Sequence, residues 1–181
     1  MSEKTLELIV EHDAKWVDLR FTDPRGKEQH VTNHSARVDE RFFENGAMFN
    51  GSSIAGWKNI NEADMILMPE DSTAVLDPFV EETTINLRCD ILEPSTLKGS
   101  DRDPRGVAKR AETYLVSSGV GDIAYFGPEP EFFIFDDVKY RNEIGRAMYE
   151  IESEEAAWMS HRDFNGGNIG HRPTIKGGYF P

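Results

Sequence analysis

Apolar positions along this chain change period several times, and each change marks a new element. Leu6, Ile9 and Val10 recur at helical spacing behind Ser2, so the chain is expected to open with a short helix capped by Ser2 and ending near Asp13. From Trp16 to Phe21 the period becomes two. Val17, Leu19 and Phe21 alternate with Asp18 and Arg20, the pattern of a half-buried strand. Asp23-Pro24-Arg25-Gly26 carries Asp, Pro and Gly where a type I turn favours them, which makes Lys27 to Thr32 the hairpin partner. Ser35 is the expected cap of a short helix through Val38, Phe42 and Phe43, with Asn45-Gly46 at its left-handed end.

Met48 to Glu62 holds no sustained period and carries Gly51, Ser52, Ser53 and Gly56. Loops of this length in compact domains tend to be functional or disordered, and Phe49, Ile54 and Trp57 are residues a solvated linker has little use for. Met65 to Met68 then reads as a short buried strand, Pro69-Glu70-Asp71 as a turn, and Thr73 to Leu76 as a second strand stopping at Asp77-Pro78. From Thr83 to Asp90, Ile85, Leu87 and Cys89 alternate with Asn86 and Arg88 in a further strand. Everything up to this point predicts a small α+β domain, a mainly antiparallel sheet carrying a helix.

Glu93-Pro94-Ser95 and the polar run from Lys98 to Arg102 form a short, breaker-rich boundary. Asp103-Pro104 opens a helix whose apolar face is Val107, Ala108, Ala111, Tyr114 and Leu115 and whose stop is Gly119. Ile123 to Phe126 follows as a strand that runs into Gly127-Pro128. Beyond Asp137 the chain turns polar. Ala147 to Ile151 is the strand to expect there, and Asn165-Gly166-Gly167-Asn168 is a turn cluster. The closing Lys176-Gly177-Gly178-Tyr179-Phe180-Pro181 offers an aromatic pair that needs something to pack against, as in a domain cut short.

Composition narrows the function classes. Twenty Lys plus Arg against 33 Asp plus Glu give a net charge of -13, which argues against a nucleic-acid partner because phosphate binding needs concentrated cationic side chains. Cys89 is the single cysteine, so no intrachain disulfide forms; its alternating context predicts a buried inert thiol. No apolar run is long enough for a membrane span and no secretory leader opens the chain, so a cytoplasmic protein is expected.

The stretch with chemical potential is Phe126-Gly127-Pro128-Glu129-Pro130-Glu131-Phe132-Phe133-Ile134-Phe135. If Glu129 to Phe135 is extended, Glu129 and Glu131 point the same way with Cα atoms roughly 6.5 Å apart. Two neighbouring carboxylates repel one another, and a divalent cation with oxygen preference, Mg²⁺ or Mn²⁺, compensates both. The same spacing describes two surface glutamates on a half-exposed strand, and spacing alone leaves both readings standing. The Phe49-Asn50-Gly51-Ser52-Ser53-Ile54 loop can present hydroxyls, an amide and backbone N–H groups, or serve as a tight structural turn. It lacks the Lys and the strand-to-helix context of a phosphate-binding loop. The five histidines form no HExxH motif, and His161 and His171 fall in the irregular tail, so solvated or structural roles are expected.

Taken together, Phe49 to Ile54 followed by Gly56-Trp57, Asp90-Ile91-Leu92-Glu93-Pro94, Asp101-Arg102-Asp103-Pro104-Arg105, Phe126 to Phe133 and Lys176 to Pro181 resemble the N-terminal portion of bacterial class I glutamine synthetases. The likeness runs over essentially the whole chain. It implies a β-grasp domain over residues 1–100 and the incomplete start of a catalytic domain over 101–181. It implies ATP-dependent ligation of ammonia to L-glutamate through γ-glutamyl phosphate, with two Mg²⁺ or Mn²⁺ ions per site. Identical subunits are expected in stacked hexameric rings, each site lying between one subunit's β-grasp domain and the neighbour's catalytic domain. Glu129 and Glu131 match metal-binding glutamates of the family, Ser52 and Ser53 its substrate loop, and Tyr179 a residue near its ammonium site.

Two departures stand out. The family carries Asp at the position of Asn50, where it helps bind ammonium and accept its proton; Asn keeps a carbonyl acceptor but loses charge and basicity. A charge-assisted hydrogen bond is worth roughly 1.5 to 3 kcal/mol, so weaker use of ammonia is expected. The family's remaining metal ligands and nucleotide- and glutamate-binding residues would follow Pro181, so the chain alone is expected to be inactive. The alternative is a non-catalytic β-grasp module that joins or regulates synthetase rings.

Overall fold

The computed structural model describes residues 2–59 and 63–154 together with Ala156, Trp158, Asp163, Asn165 and Gly166. The chain divides into two compact units, Met1–Tyr125 and Phe126–Pro181.

The first unit begins with helix α1 (Glu3–Glu11). Ser2 occupies the cap position, as the sequence suggests, but its side chain makes no capping bond. The orphan N–H groups go instead to Asp71, whose carboxylate accepts from Lys4 N at 3.1 Å, Thr5 N at 2.8 Å and Thr5 Oγ1 at 2.6 Å. Strands β1 (Trp16–Thr22) and β2 (Glu28–His34) form the expected hairpin, closed by Gly26 N donating to Asp23 O. The following helix starts later than its sequence suggests. A 3₁₀ turn covers Ser35–Arg37, and α2 (Glu40–Asn45) is capped by Asp39, whose Oδ1 accepts from Phe42 N at 3.0 Å. Asn45-Gly46 does end it, with Gly46 at φ 70°. A Cβ there would meet Leu67 O at 2.6 Å, so both torsion and space require glycine.

Strand β3 (Ala47–Asn50) pairs antiparallel with β4 (Asp64–Leu76), so the aperiodic segment begins as a strand. The two short strands expected between 65 and 76 are one long strand, and the expected turn at 69–71 is the start of an irregularity in register between Glu70 and Val75. Pro69 is tolerated because β3 stops at the partner of Leu67, leaving β4 with an open edge beyond it. Strand β5 (Thr84–Glu93) is central, antiparallel to β4 and parallel to β1, and β6 (Lys98–Gly99) pairs with its end. The sheet order is β2-β1-β5-β4-β3, mixed around one parallel pair and otherwise antiparallel.

Period-two alternation gives this sheet two unlike faces. Val17, Leu19, Phe21, Met65, Leu67, Ile85, Leu87, Cys89 and Ile91 are buried in one core, against which Leu6, Ile9, Phe42 and Phe43 of the two helices pack. Cys89 is free and buried, and burial pushes its thiol well above the usual range, as expected of an inert residue. The opposite face carries charge. Arg20 bonds Asp18 at 3.0 Å and Asp77 at 2.6 Å; although burial pushes Asp18 upward, bonds from Thr32, His30 and Arg20 together hold its carboxyl below the usual range. Helix α3 (Pro104–Ser118) starts at Asp103 and stops at Gly119 as read from the sequence. None of its residues is buried, however, and Val107 and Tyr114 of its apolar face stay exposed.

Where the chain passes from the first unit to the second, the strand expected at 123–126 is absent, and residues 122–135 hold no regular pairing, consistent with the donors lost at Pro128 and Pro130. A hairpin follows, β7 (Asp137–Glu143) with β8 (Arg146–Glu152). The expected strand at 147–151 is the core of β8; its partner β7 went unread. Among the described residues no helix is long and apolar enough to cross a membrane.

Candidate functional site

The site loop is built outward from the core. Strand β3 ends at Asn50, and Gly51 N donates to Ala63 O at 2.7 Å, which turns the chain into a 3₁₀ turn over Gly51–Ser53. Gly51 is buried against Met65, whose sulfur would lie 2.5 Å from any Cβ added there, so the loop can approach β4 this closely only as glycine. Trp57 is 1% exposed, and its ring lies 5.5 Å from Phe21 and 5.8 Å from Phe49. These aromatic contacts hold the described part of the aperiodic segment, residues 48–59, against the core.

Asn50 is exposed, and its Oδ1 accepts both Ser52 N at 3.0 Å and Ser52 Oγ at 2.6 Å. The carbonyl end is therefore committed to holding the turn, and the Nδ2 end, a donor only, is the other functional atom of the side chain. Ser52 is half-buried beside it and Ser53 is exposed. Arg102 joins the same loop from a distance in sequence. Its Nη1 donates to Gly56 O at 2.6 Å and Trp57 O at 3.1 Å.

Arg102 precedes a second polar constellation where α3 meets the charged sheet face. Arg105 bonds Glu70 and, at 2.9 Å, Asp90; Lys109 bonds Glu70 at 3.1 Å and Asp90 at 2.6 Å. Arg105 and then Lys109 hold the Glu70 carboxyl down at about 2. Asp103 is 1% exposed and accepts from Ile91 N and Arg105 N; burial outweighs these bonds and raises its carboxyl. Sequence reading passed over this cluster. Its signals are Arg105 and Lys109 at helical i,i+4 spacing, and Glu70 and Asp90 on strands paired at Pro69 and Cys89.

Glu129 and Glu131 are exposed and stand on backbone without strand pairing, so no ladder fixes the common direction that an extended Glu129–Phe135 would give them. Their aromatic neighbours Phe126 and Phe132 are exposed as well. Among the described residues, no group of three or more His, Cys, Asp or Glu side chains is gathered where an ion could be held. Tyr179, His161, His171 and Lys176 to Pro181 lie outside the described residues, as do Gly167 and Asn168 of the turn cluster.

Two family models match consecutive parts of the chain: "Glutamine synthetase, beta-Grasp domain" over residues 13–94 and "Glutamine synthetase, catalytic domain" over 101–181. Glutamine synthetase of Azotobacter vinelandii is 66% identical over 98% of this chain and 38% of its own length. That of Pseudomonas aeruginosa is 62% identical over 100% of this chain and 39% of its own. That of Escherichia coli K12 is 58% identical over 99% and 38%. The chain thus spans well under half the length of these relatives. Among solved structures, the cryo-EM structure of Plasmodium falciparum glutamine synthetase superposes with a TM-score of 0.64 at 20% identity, covering 86% of this chain and 30% of that one, a likeness of fold.

Proposed function

Because the chain belongs to the glutamine synthetase family, we propose that it takes part in the ATP-dependent joining of ammonia to L-glutamate through γ-glutamyl phosphate, in the cytoplasm. The observation that supports this best is the Asn50–Ser53 loop, whose shape is set by buried aromatic residues while Asn50 and Ser53 face outward. Residues 1–100 act as the β-grasp domain and 101–181 as the start of the catalytic domain, in stacked hexameric rings of identical subunits. Asn50 stands on the ammonia side with Tyr179, Ser53 faces substrate, and Ser52 fixes the Asn50 amide. Because Oδ1 is committed to Ser52, the end left to meet an ammonium ion is an NH₂ group, which neither attracts the cation nor takes its proton.

Glu129 and Glu131 would contribute oxygen donors toward Mg²⁺ or Mn²⁺, whose charge would neutralise phosphate and orient the acyl phosphate. Carboxylates suit such ions, yet two donors fall short of the roughly six an ion of this kind takes. The pair by itself therefore does not constitute an ion site, and the 181-residue chain alone makes no glutamine.

The test joins residues 1–181 to the remaining length of the Azotobacter vinelandii relative and measures ATP- and ammonia-dependent glutamine formation. Slow synthesis is expected, raised roughly tenfold or more by Asn50→Asp, in line with the worth of a charge-assisted bond. A folded, ring-forming chimera inactive with either residue would sink the reading. Asn50 also favours a second reading, a non-catalytic module that enters synthetase rings. For that reading, the free chain would co-assemble with the complete Azotobacter enzyme and lower its activity.

A further inference from the structure

We infer that Arg102 is a positioning residue for the Asn50–Ser53 loop, a strut that fixes the loop from the turn preceding α3. As a statement about the site it rests on the proposal that this loop faces substrate. As a statement about the loop's shape it does not.

The loop is pinned at three places. At its start, Gly51 N bonds Ala63 O on the approach to β4. In its middle, Ile54 N returns to Gly51 O at 3.2 Å and Trp57 N to Ile54 O at 3.3 Å, beside the Ser52 bonds to Asn50 Oδ1. At its far end the carbonyls of Gly56 and Trp57 point to one guanidinium nitrogen, Arg102 Nη1. A cation accepted by two backbone carbonyls is the strong kind of hydrogen bond. It also fixes the peptide that carries the Trp57 ring into its contacts with Phe21 and Phe49. Phe49 immediately precedes Asn50, so a shift at Trp57 reaches the Asn50 amide through one packed ring.

A strut works only if its far end is rigid, and this one is mounted twice on the central strand. Ser100 N donates to Ile91 O at 2.7 Å, and the buried Asp103 carboxylate accepts from Ile91 N at 3.2 Å, so both sides of Arg102 are tied to the same residue of β5. Asp103 N closes the intervening turn on Ser100 O at 3.2 Å. Arg102 thus spans from a turn fastened to the central strand of the sheet to the carbonyls of Gly56 and Trp57 at the end of the loop.

The test uses the 181-residue chain and needs no turnover, so it is decided independently of the glutamine-forming reading. Amide hydrogen exchange is measured for the parent, Arg102→Ala and Arg102→Lys, together with the NMR signal of the Asn50 side-chain amide. Arg102→Ala is expected to speed exchange at residues 51–57 by roughly ten- to a hundredfold while β1 and β5 amides keep their protection. The Asn50 amide signal shifts toward that of a free side chain. Arg102→Lys, which retains a cation on a shorter stem, restores part of the protection, and millimolar guanidinium added to Arg102→Ala restores part of it too. Unchanged loop exchange in Arg102→Ala, or a rise shared equally by the whole first unit, would overturn the inference.

Discussion

The two units of the chain handle their apolar residues in opposite ways. In the first, the inward residues of β1, β4 and β5 are fully covered; Leu87 at the centre is 0% exposed. In the second, register places Val138 opposite Ile151 and Tyr140 opposite Tyr149, so these side chains share one face of the β7–β8 hairpin. Yet Tyr140 is 80% and Tyr149 78% exposed. Only the base of that hairpin is sheltered, with Ser153 and Ala156 buried. The same alternation of apolar and polar residues therefore yields a core where a sheet has helices to cover it, and an exposed aromatic face where the sheet has two strands. A two-stranded hairpin is marginal alone, so the first unit carries the stability of the chain.

Truncating each centre would sharpen that contrast most. Leu87→Ala removes packing from a closed core and should cost roughly 2–5 kcal/mol in urea or thermal unfolding. Tyr149→Ala removes an exposed ring and should change the same transition by about 0.5 kcal/mol or less. A Tyr149→Ala effect as large as that of Leu87→Ala would mean that the hairpin face is covered after all, and the comparison would fail.

The same contrast explains what could be read from the residues beforehand. Strands whose alternation is strict, Trp16 to Phe21 and Thr83 to Asp90, were placed correctly because burial of one face rewards period two and nothing local opposes it. β4 was split in two because Pro69 and Asp71 are turn residues by local rules; the open edge beside Pro69 is a tertiary fact. Asp71, a turn residue by local rules, reaches across to cap α1, a partner 66 and 67 residues distant that no local pattern reveals. Asn50, Ser52 and Ser53 stand out in the sequence as polar residues of one loop, and the structure adds the direction in which the amide is held. In the sequence Arg102 stands out only as part of a motif, since backbone carbonyls as its partners leave no trace in side-chain spacing. Glu129 and Glu131 were legible as a pair, but their common face was argued from a strand that two prolines deny a ladder.

A smaller effect tests how the first unit ties its outer elements down. Asp71→Ala leaves three donors at the start of α1 without their acceptor and should destabilise by about 1 kcal/mol, the usual worth of a cap. Far-ultraviolet circular dichroism should show helix loss preceding the main transition. Asp71→Asn, which keeps one acceptor oxygen, should recover part of it. Equal stability of all three proteins would mean that α1 is held by Leu6 and Ile9 alone.

The smallest effect concerns α3, which belongs to the first unit yet, like the β7–β8 hairpin, buries no side chain. What ties it to the sheet is charge, Arg105 and Lys109 against Glu70 and Asp90. The Glu70 carboxyl is held near 2 in the folded chain against an ordinary value of 4.5, so its contribution is complete above 4.5 and disappears as the pH falls from there toward 2. With 38% of the Glu70 side chain exposed, solvent screens these pairs, and the contribution is about 1 kcal/mol or less. Unfolding of the parent and of Glu70→Gln should therefore differ at neutral pH and converge across that window, and added salt should shrink the neutral-pH difference. Because α3 has no buried apolar face to fall back on, its protection against proteolysis should drop over the same pH range while β5 remains protected. If α3 stays protected at pH 3, packing rather than charge holds it, and the likeness drawn between this helix and the β7–β8 hairpin is wrong.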